Sequence, residues 1–182
     1  MSDNQRNPLW ARKRLIHLTW SEIAVAVDHI GRKIQLDNFS PDIIVGISRG
    51  GLAPTLLLSH NLGIRNLEIV KAKYYDSGVY PTILNPKPVI GHIPFEVAYQ
   101  TGLLVDDIAG TGDTLSAVSL KLGDKIKNIK TATLVKNMNC RIEVDYFFAL
   151  VDDFVVFPWE ENQPIAKPSL PSVLGTEASF LG

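Results

Sequence analysis

A chain of 182 residues, 46% hydrophobic and 20% charged, is long enough to bury one core and too apolar to be disordered throughout. Its formal net charge of −1 lacks the basic excess of a protein that lives on nucleic-acid backbone. Cys140 is the only cysteine, which rules out an internal disulfide and fits a reducing compartment. Met1–Pro8 is polar and has no apolar leader segment, and the apolar runs are strand-sized. These features predict a cytoplasmic, single-domain protein with neither nucleic acid nor membrane as partner.

The first helix signal is a capping box, Thr19 followed three residues later by Glu22. Trp20, Ile23, Ala24, Val27, Ile30 and Ile34 then recur at helical spacing. The preceding basic run Arg12–Lys13–Arg14 is too short to mean more than a solvated face. After Pro41, Ile43–Ile47 reads as a short buried strand, and Gly50–Gly51 as a turn. Leu52–Leu62 reads as a helix closed by Gly63 at its C′ position. Leu67–Ala72 is the next strand. From Tyr75 to Ala98 no period holds and four prolines intervene (Pro81, Pro86, Pro88 and Pro94), the mark of a functional loop. Leu103–Val105 is a strand, with a helix from about Asp113 to Ile126. Ala132–Val135 and Tyr146–Val151 are two more strands, and the proline-containing tail after Glu160 is irregular. Strands alternating with helices imply crossover units, hence an α/β fold with a mostly parallel twisted sheet flanked by helices. Ligands of such sheets sit outside the carboxyl ends of the strands, where each of the following segments begins.

Leu103–Thr114 reads Leu-Leu-Val-Asp-Asp-Ile-Ala-Gly-Thr-Gly-Asp-Thr: a strand, two carboxylates, a small-residue loop and a helix start. Converging N–H groups from Ala109 to Thr114 and the positive end of the helix dipole suit a phosphate, with Thr111 and Thr114 as hydroxyl donors. The Gly-Lys-Ser/Thr of a Walker A loop is absent. Asp106 and Asp107 are placed to accept from sugar hydroxyls or to hold Mg²⁺. A second strand, Val45–Ile47, ends in Ser48-Arg49-Gly50-Gly51 and then a helix. That loop offers N–H groups and a guanidinium able to grip phosphate. Two phosphate loops at the ends of two strands fit one sugar carrying anions at both ends.

The first of these segments closely resembles the phosphoribosyl pyrophosphate (PRPP) motif of type I phosphoribosyltransferases. The second resembles the pyrophosphate loop of the same family, particularly its xanthine-guanine and hypoxanthine enzymes. The likeness extends from about Ile43 to Glu160. It implies Asp106, Asp107 and Arg49 as catalytic residues, with Mg²⁺ held at Asp106 and Asp107. It further implies PRPP binding by Ser48, Arg49, Gly50, Gly51, Lys73, Asp106, Asp107, Ala109, Gly110, Thr111, Gly112, Asp113 and Thr114. A cis peptide at Ser48–Arg49 is expected from the same likeness.

Tyr74 and Tyr75 stand where the family often has Ser-Tyr, ahead of a flexible loop at about 75–98 that closes over PRPP; Lys87 in that loop is a weaker cationic candidate. Asp152–Glu160 resembles the Trp-Ile…Pro-Trp-Asp stretch of the xanthine-guanine enzymes. By that likeness Lys136 donates to a purine 6-oxo group, Phe154 stacks on the base and the Val155 backbone meets its edge, while Trp159 packs structurally. The domain is then a core of about 19–151 under a small hood from 152–182, with 1–18 as a second contributor left open. Relatives are commonly homodimers or homotetramers.

The sequence departs from the 6-oxopurine pattern at Gly110, where those enzymes carry an aspartate that acts toward the purine N7. Asp113 lies at the helix start, where it is expected to face solvent; Asp152 and Asp153 are candidate substitutes. The expected reaction moves 5-phosphoribosyl from PRPP to a nucleobase-like acceptor, with guanine, xanthine or hypoxanthine favoured. A non-purine or biosynthetic acceptor and a PRPP-sensing regulator without catalysis stay open, although too few residues precede Thr19 for a helix-turn-helix.

Overall fold

The computed structural model describes residues 14–73 and 88–160, with the side chain of Lys73 left out. Its elements are β1 (Leu15–His17), α1 (Trp20–Leu36), β2 (Ile43–Ser48), α2 (Leu52–Leu62), β3 (Leu67–Lys73), β4 (Val89–Ile90), β5 (Tyr99–Ala109), α3 (Asp113–Leu122), β6 (Ile126–Asn137), β7 (Tyr146–Val151) and β8 (Phe154–Val156), followed by a 3-10 turn at Pro158–Glu160. Six strands form one sheet in the order β4-β3-β2-β5-β6-β7. All its pairings are parallel except that of the edge strand β4, which runs antiparallel to β3.

Alternate side chains of a strand face opposite ways, so a sheet covered on both faces needs nearly continuous apolar strands. Ile44 of β2 and Leu103 and Val105 of β5 meet Ile23, Ile30 and Ile34 of α1 and Leu58 of α2 on one face. Their neighbours Val45, Ile47 and Leu104 meet Leu115, Val118 and Leu122 of α3 on the other. Ile23, Ile30, Ile34, Leu103 and Leu122 have no accessible surface; full burial of such a side chain contributes about 1.5–3 kcal/mol each.

The helix ends follow from local chemistry. The Thr19 hydroxyl accepts from Glu22 N–H at 3.3 Å, while Glu22 Oε2 accepts from the Thr19 N–H at 2.5 Å. This capping box satisfies donors at both ends of the first turn. Gly63 closes α2 at a φ of 70°, a left-handed conformation that suits glycine. The helix expected to run to Ile126 instead stops at Leu122. Gly123 caps it by donating to Ser119 and Leu120 oxygens, and Ile126 opens β6.

Of the segment expected as loop at about 75–98, residues 88–98 are described. They contain β4 and bury Ile93 and Phe95 against the sheet. Lys121 Nζ donates to the Gly91 oxygen at 2.7 Å, and Phe95 meets Tyr99 edge-on at 5.7 Å between ring centroids. Tyr74, Tyr75 and Lys87 lie outside the described residues, as do Arg12, Lys13 and the tail from residue 161.

A second, two-stranded sheet joins the two ends of the described chain. β1 runs parallel to β8, with Leu15 opposite Phe154, Ile16 opposite Val155 and His17 opposite Val156. Arg14 Nε pairs with Asp153 at 3.3 Å beside it, which gives one member of the basic run a partner. Beyond β8, Trp159 stacks on Phe157 at 4.9 Å and tilts against Trp20 at 5.8 Å, fixing this end of the chain to the start of α1.

Candidate active site

β2 and β5 are neighbours, with Gly46 opposite Val105. From β2 the chain passes through α2 to β3 on one side; from β5 it passes through α3 to β6 on the other. Loops that leave adjacent parallel strands in opposite directions open a crevice between them. The Ser48–Gly51 turn and the Gly110–Gly112 turn are its two lips.

The Ser48–Arg49 peptide is cis. Arg49 is exposed, and its carbonyl accepts from Leu52 N–H at 3.1 Å. The following glycines are required by close approach. A Cβ on Gly50 would overlap the Asp107 carboxylate, lying 2.6 Å even from its Oδ1. One on Gly51 would sit 2.6 Å from the Ile47 oxygen and 2.7 Å from the Val105 oxygen. The first loop therefore rests directly on the acid pair.

Opposite it, Gly112 adopts a φ of 87° and caps α3 with no side-chain hydrogen bond. The first N–H groups of a helix lack internal partners and carry partial positive charge, so an anion is their natural ligand. Thr111 Oγ1 donates to Asp113 Oδ2 at 3.0 Å. Asp113 does not face open solvent as its position suggested. Arg141 Nη2 donates to both of its oxygens, at 2.7 and 2.5 Å.

Asp106 Oδ1 accepts from the Asp107 N–H at 3.0 Å, and Asp107 Oδ1 from the Ile108 N–H at 2.8 Å. Burial, reinforced by the charge of Asp107, holds Asp106 well above the usual carboxylate range. Burial, then the charge of Glu160, pushes Asp107 up to about 6. Glu160 is fixed by accepting from the Phe157 N–H at 3.0 Å. A buried and a half-buried carboxylate, with more negative charge beside them and backbone N–H groups as their hydrogen-bond partners, suit a hard cation such as Mg²⁺. That ion is ordinarily bound by one or two carboxylates together with substrate phosphates.

The residues named for the acceptor stand on different sheets. Lys136 is near the end of β6, opposite Leu150 of β7, with Nζ 5.3 Å from the Phe147 ring centroid. Phe154 is exposed on β8 and Val155 is buried beside it. Of the two candidate substitutes for a carboxylate at Gly110, Asp153 is held by Arg14, and Asp152 accepts weakly from Asn139 Nδ2 at 3.5 Å. Lys73 ends β3, opposite Val89.

Glu160 and Arg141 were not singled out from sequence. Glu160 had a signal, since Pro158-Trp159-Glu160 parallels the Pro-Trp-Asp ending. Arg141 had none, because its contact with Asp113 spans the whole of β6.

The sequence and the fold both have counterparts among known proteins. The family model for the phosphoribosyl transferase domain matches residues 18–163, and the chain belongs to that family. A crystal structure of a purine phosphoribosyltransferase from Pyrococcus horikoshii is 33% identical, with a TM-score of 0.70, covering 84% of this chain and 99% of the other. A xanthine-guanine phosphoribosyltransferase of Idiomarina loihiensis is 27% identical over 161 residues, 87% of this chain and 95% of that protein. Another, from Cereibacter sphaeroides, is 29% identical over 84% of this chain and 90% of that protein.

Proposed function

We propose that the protein transfers 5-phosphoribosyl from PRPP to a 6-oxopurine and releases pyrophosphate. The observation that carries this reading is the contact of Gly50 with Asp107, which brings the first turn against the acid pair on the strand that leads into the second. Its relatives' names, purine and xanthine-guanine phosphoribosyltransferase, support the choice of acceptor.

In this reading the N–H groups at the start of α3 hold the 5′-phosphate and the Ser48–Gly51 turn, with Arg49, holds pyrophosphate. Asp106 and Asp107 accept from the ribose hydroxyls and would hold Mg²⁺, which would supply positive charge to offset that of the leaving pyrophosphate. The bond from C1′ to the pyrophosphate oxygen breaks with its electron pair leaving on oxygen. A lone pair on the base nitrogen forms the new bond, and the base then loses its ring N–H proton to solvent water. Catalysis by this chain is largely positioning plus preorganised charge around the positive ribosyl centre. Lys73 approaches pyrophosphate. Lys136 donates to the 6-oxo group, Phe154 stacks on the base, and the Val155 backbone lines its edge. The working unit is a core under a hood at 152–182, with β1 completing the hood; it is a cytoplasmic homodimer or homotetramer.

Gly110 supplies no carboxylate to a purine N7, so the acceptor must bring its own nucleophilicity. Pyrophosphate release from PRPP and Mg²⁺ across guanine, xanthine, hypoxanthine and adenine tests the assignment. Release with guanine, xanthine or hypoxanthine supports it. Bound PRPP without release to any purine refutes the acceptor and favours a biosynthetic acceptor or a regulator.

A further inference from the structure

The loop that receives the 5′-phosphate contains an acid. Asp113 is the first residue of α3, at a helix end where N–H groups favour an anion, and its own N–H donates to Thr111 Oγ1 at 3.4 Å. A bare carboxylate there opposes an approaching phosphate, because like charges a few ångströms apart repel appreciably even under solvent screening. It also competes for the same positive helix terminus.

A segment 28 residues further on answers this charge. The Arg141 N–H donates to the Thr111 oxygen at 3.0 Å, and its guanidinium binds both oxygens of Asp113. Thr111 closes the set by donating to Asp113 Oδ2 at 3.0 Å. Gly112, between them, is packed so closely beneath the same segment that a Cβ would fall 2.5 Å from Ile142 Cγ1. The β6–β7 connection thus lies across the phosphate turn and fastens it at three consecutive residues. Arg141 retains a side-chain exposure of 49% and Asp113 of 29%, so this pair lies at the surface of the turn and not within the core.

We propose that Arg141 is a positioning residue of the phosphate loop: it cancels the charge of Asp113 and holds the Thr111–Asp113 turn open to the donor. The inference rests on the phosphoribosyl-transfer reading and adds to it a residue outside the strand-to-helix motif. Its function is to make an acid tolerable at an anion site. It touches the loop, and the substrate only through the loop.

Charge compensation makes a demand that a merely structural contact does not. Removing the cation should harm PRPP binding, and removing the acid as well should repair it. Titration calorimetry with PRPP and Mg²⁺ on the full chain, with thermal unfolding alongside, reads this directly. Arg141→Ala is expected to weaken PRPP binding roughly tenfold or more, the size expected of an uncompensated charge near a doubly charged ligand. At saturating PRPP, turnover should fall by less than roughly threefold, because the chemistry at C1′ is untouched. Asp113→Asn combined with Arg141→Ala should bring affinity back to within roughly threefold of the parent, since the neutral amide still accepts from Thr111. If the parent binds PRPP and Arg141→Ala binds it equally well, the inference falls while the functional reading stands. If the double variant stays as weak as the single one, Arg141 contacts phosphate itself or only braces the fold, and compensation is wrong. No heat from the parent removes the functional reading, and the inference with it.

Discussion

Replacing Gly50 by alanine tests whether the two lips of the crevice depend on one another. The new Cβ would overlap the Asp107 carboxylate, lying 2.6 Å from Oδ1 and closer still to the rest of the group. Ordinary carbon–heavy-atom contact begins near ~3.5 Å, so the carboxylate or the turn must retreat by about 1 Å or more. Asp107 has little room to give way, because Oδ1 is held by the Ile108 N–H at 2.8 Å and the residue is only 8% exposed. A displacement of about 1 Å at a positioned group can reduce turnover on the order of 10²-fold, equivalent to ~2.7 kcal/mol of lost transition-state stabilisation. Pyrophosphate release at saturating PRPP and acceptor measures the loss, and thermal unfolding of the same sample separates it from global damage. The melting point should fall modestly, since the strain is confined to a loop over one carboxylate. A folded Gly50→Ala enzyme with turnover within threefold of the parent would refute the claim that Gly50 sets the place of Asp107.

Asp107→Asn should lower turnover by roughly 10²-fold by removing one preorganised charge, yet stabilise the ligand-free protein at neutral pH. The folded carboxyl lies near 6 against an ordinary 3.8, so the native state holds its proton more tightly than the unfolded chain. Its contribution is fully present below about 4 and is lost as pH rises through about 6. Melting curves at pH 4.5 and pH 8 should show the variant gaining on the parent at the higher pH; an equal difference at both would contradict this. Thr19→Ala should lower the melting point by roughly 2–4 °C through loss of about 1 kcal/mol of capping, with pyrophosphate release little changed; an unaltered melting point would show the capping box to be idle.

What could be read from sequence was local. The capping box at Thr19 and Glu22, the left-handed Gly63 and the two strand-to-helix turns are each written within a dozen residues, and the structure contains all of them. The extent of β5 and β6 was not legible. Their first residues, such as Gln100, Lys127 and Asn128, are polar and exposed at the sheet's rim, where backbone pairing alone extends the strand. The same rim misled the reading of α3, because Ile126 fits a helical spacing but serves the sheet. β4 escaped notice because two residues paired to an edge carry no periodicity. Contacts between distant segments were least legible: Arg141 with Asp113, Glu160 beside Asp107 and the pairing of β1 with β8 depend on how the ends of the sheet come together.

That pairing of β1 with β8 has a consequence for how the molecule is completed. Phe154 is laid down opposite Leu15, a partner from the other end of the described chain. The two strand-to-helix turns are assembled from short contiguous stretches, while the β1–β8 sheet needs both ends of the described chain to meet. On a ribosome the turns can organise before that sheet, which waits for β8 to emerge. Among the described strands this is the pairing with the longest sequence separation, so its closure is expected after that of the six-stranded sheet.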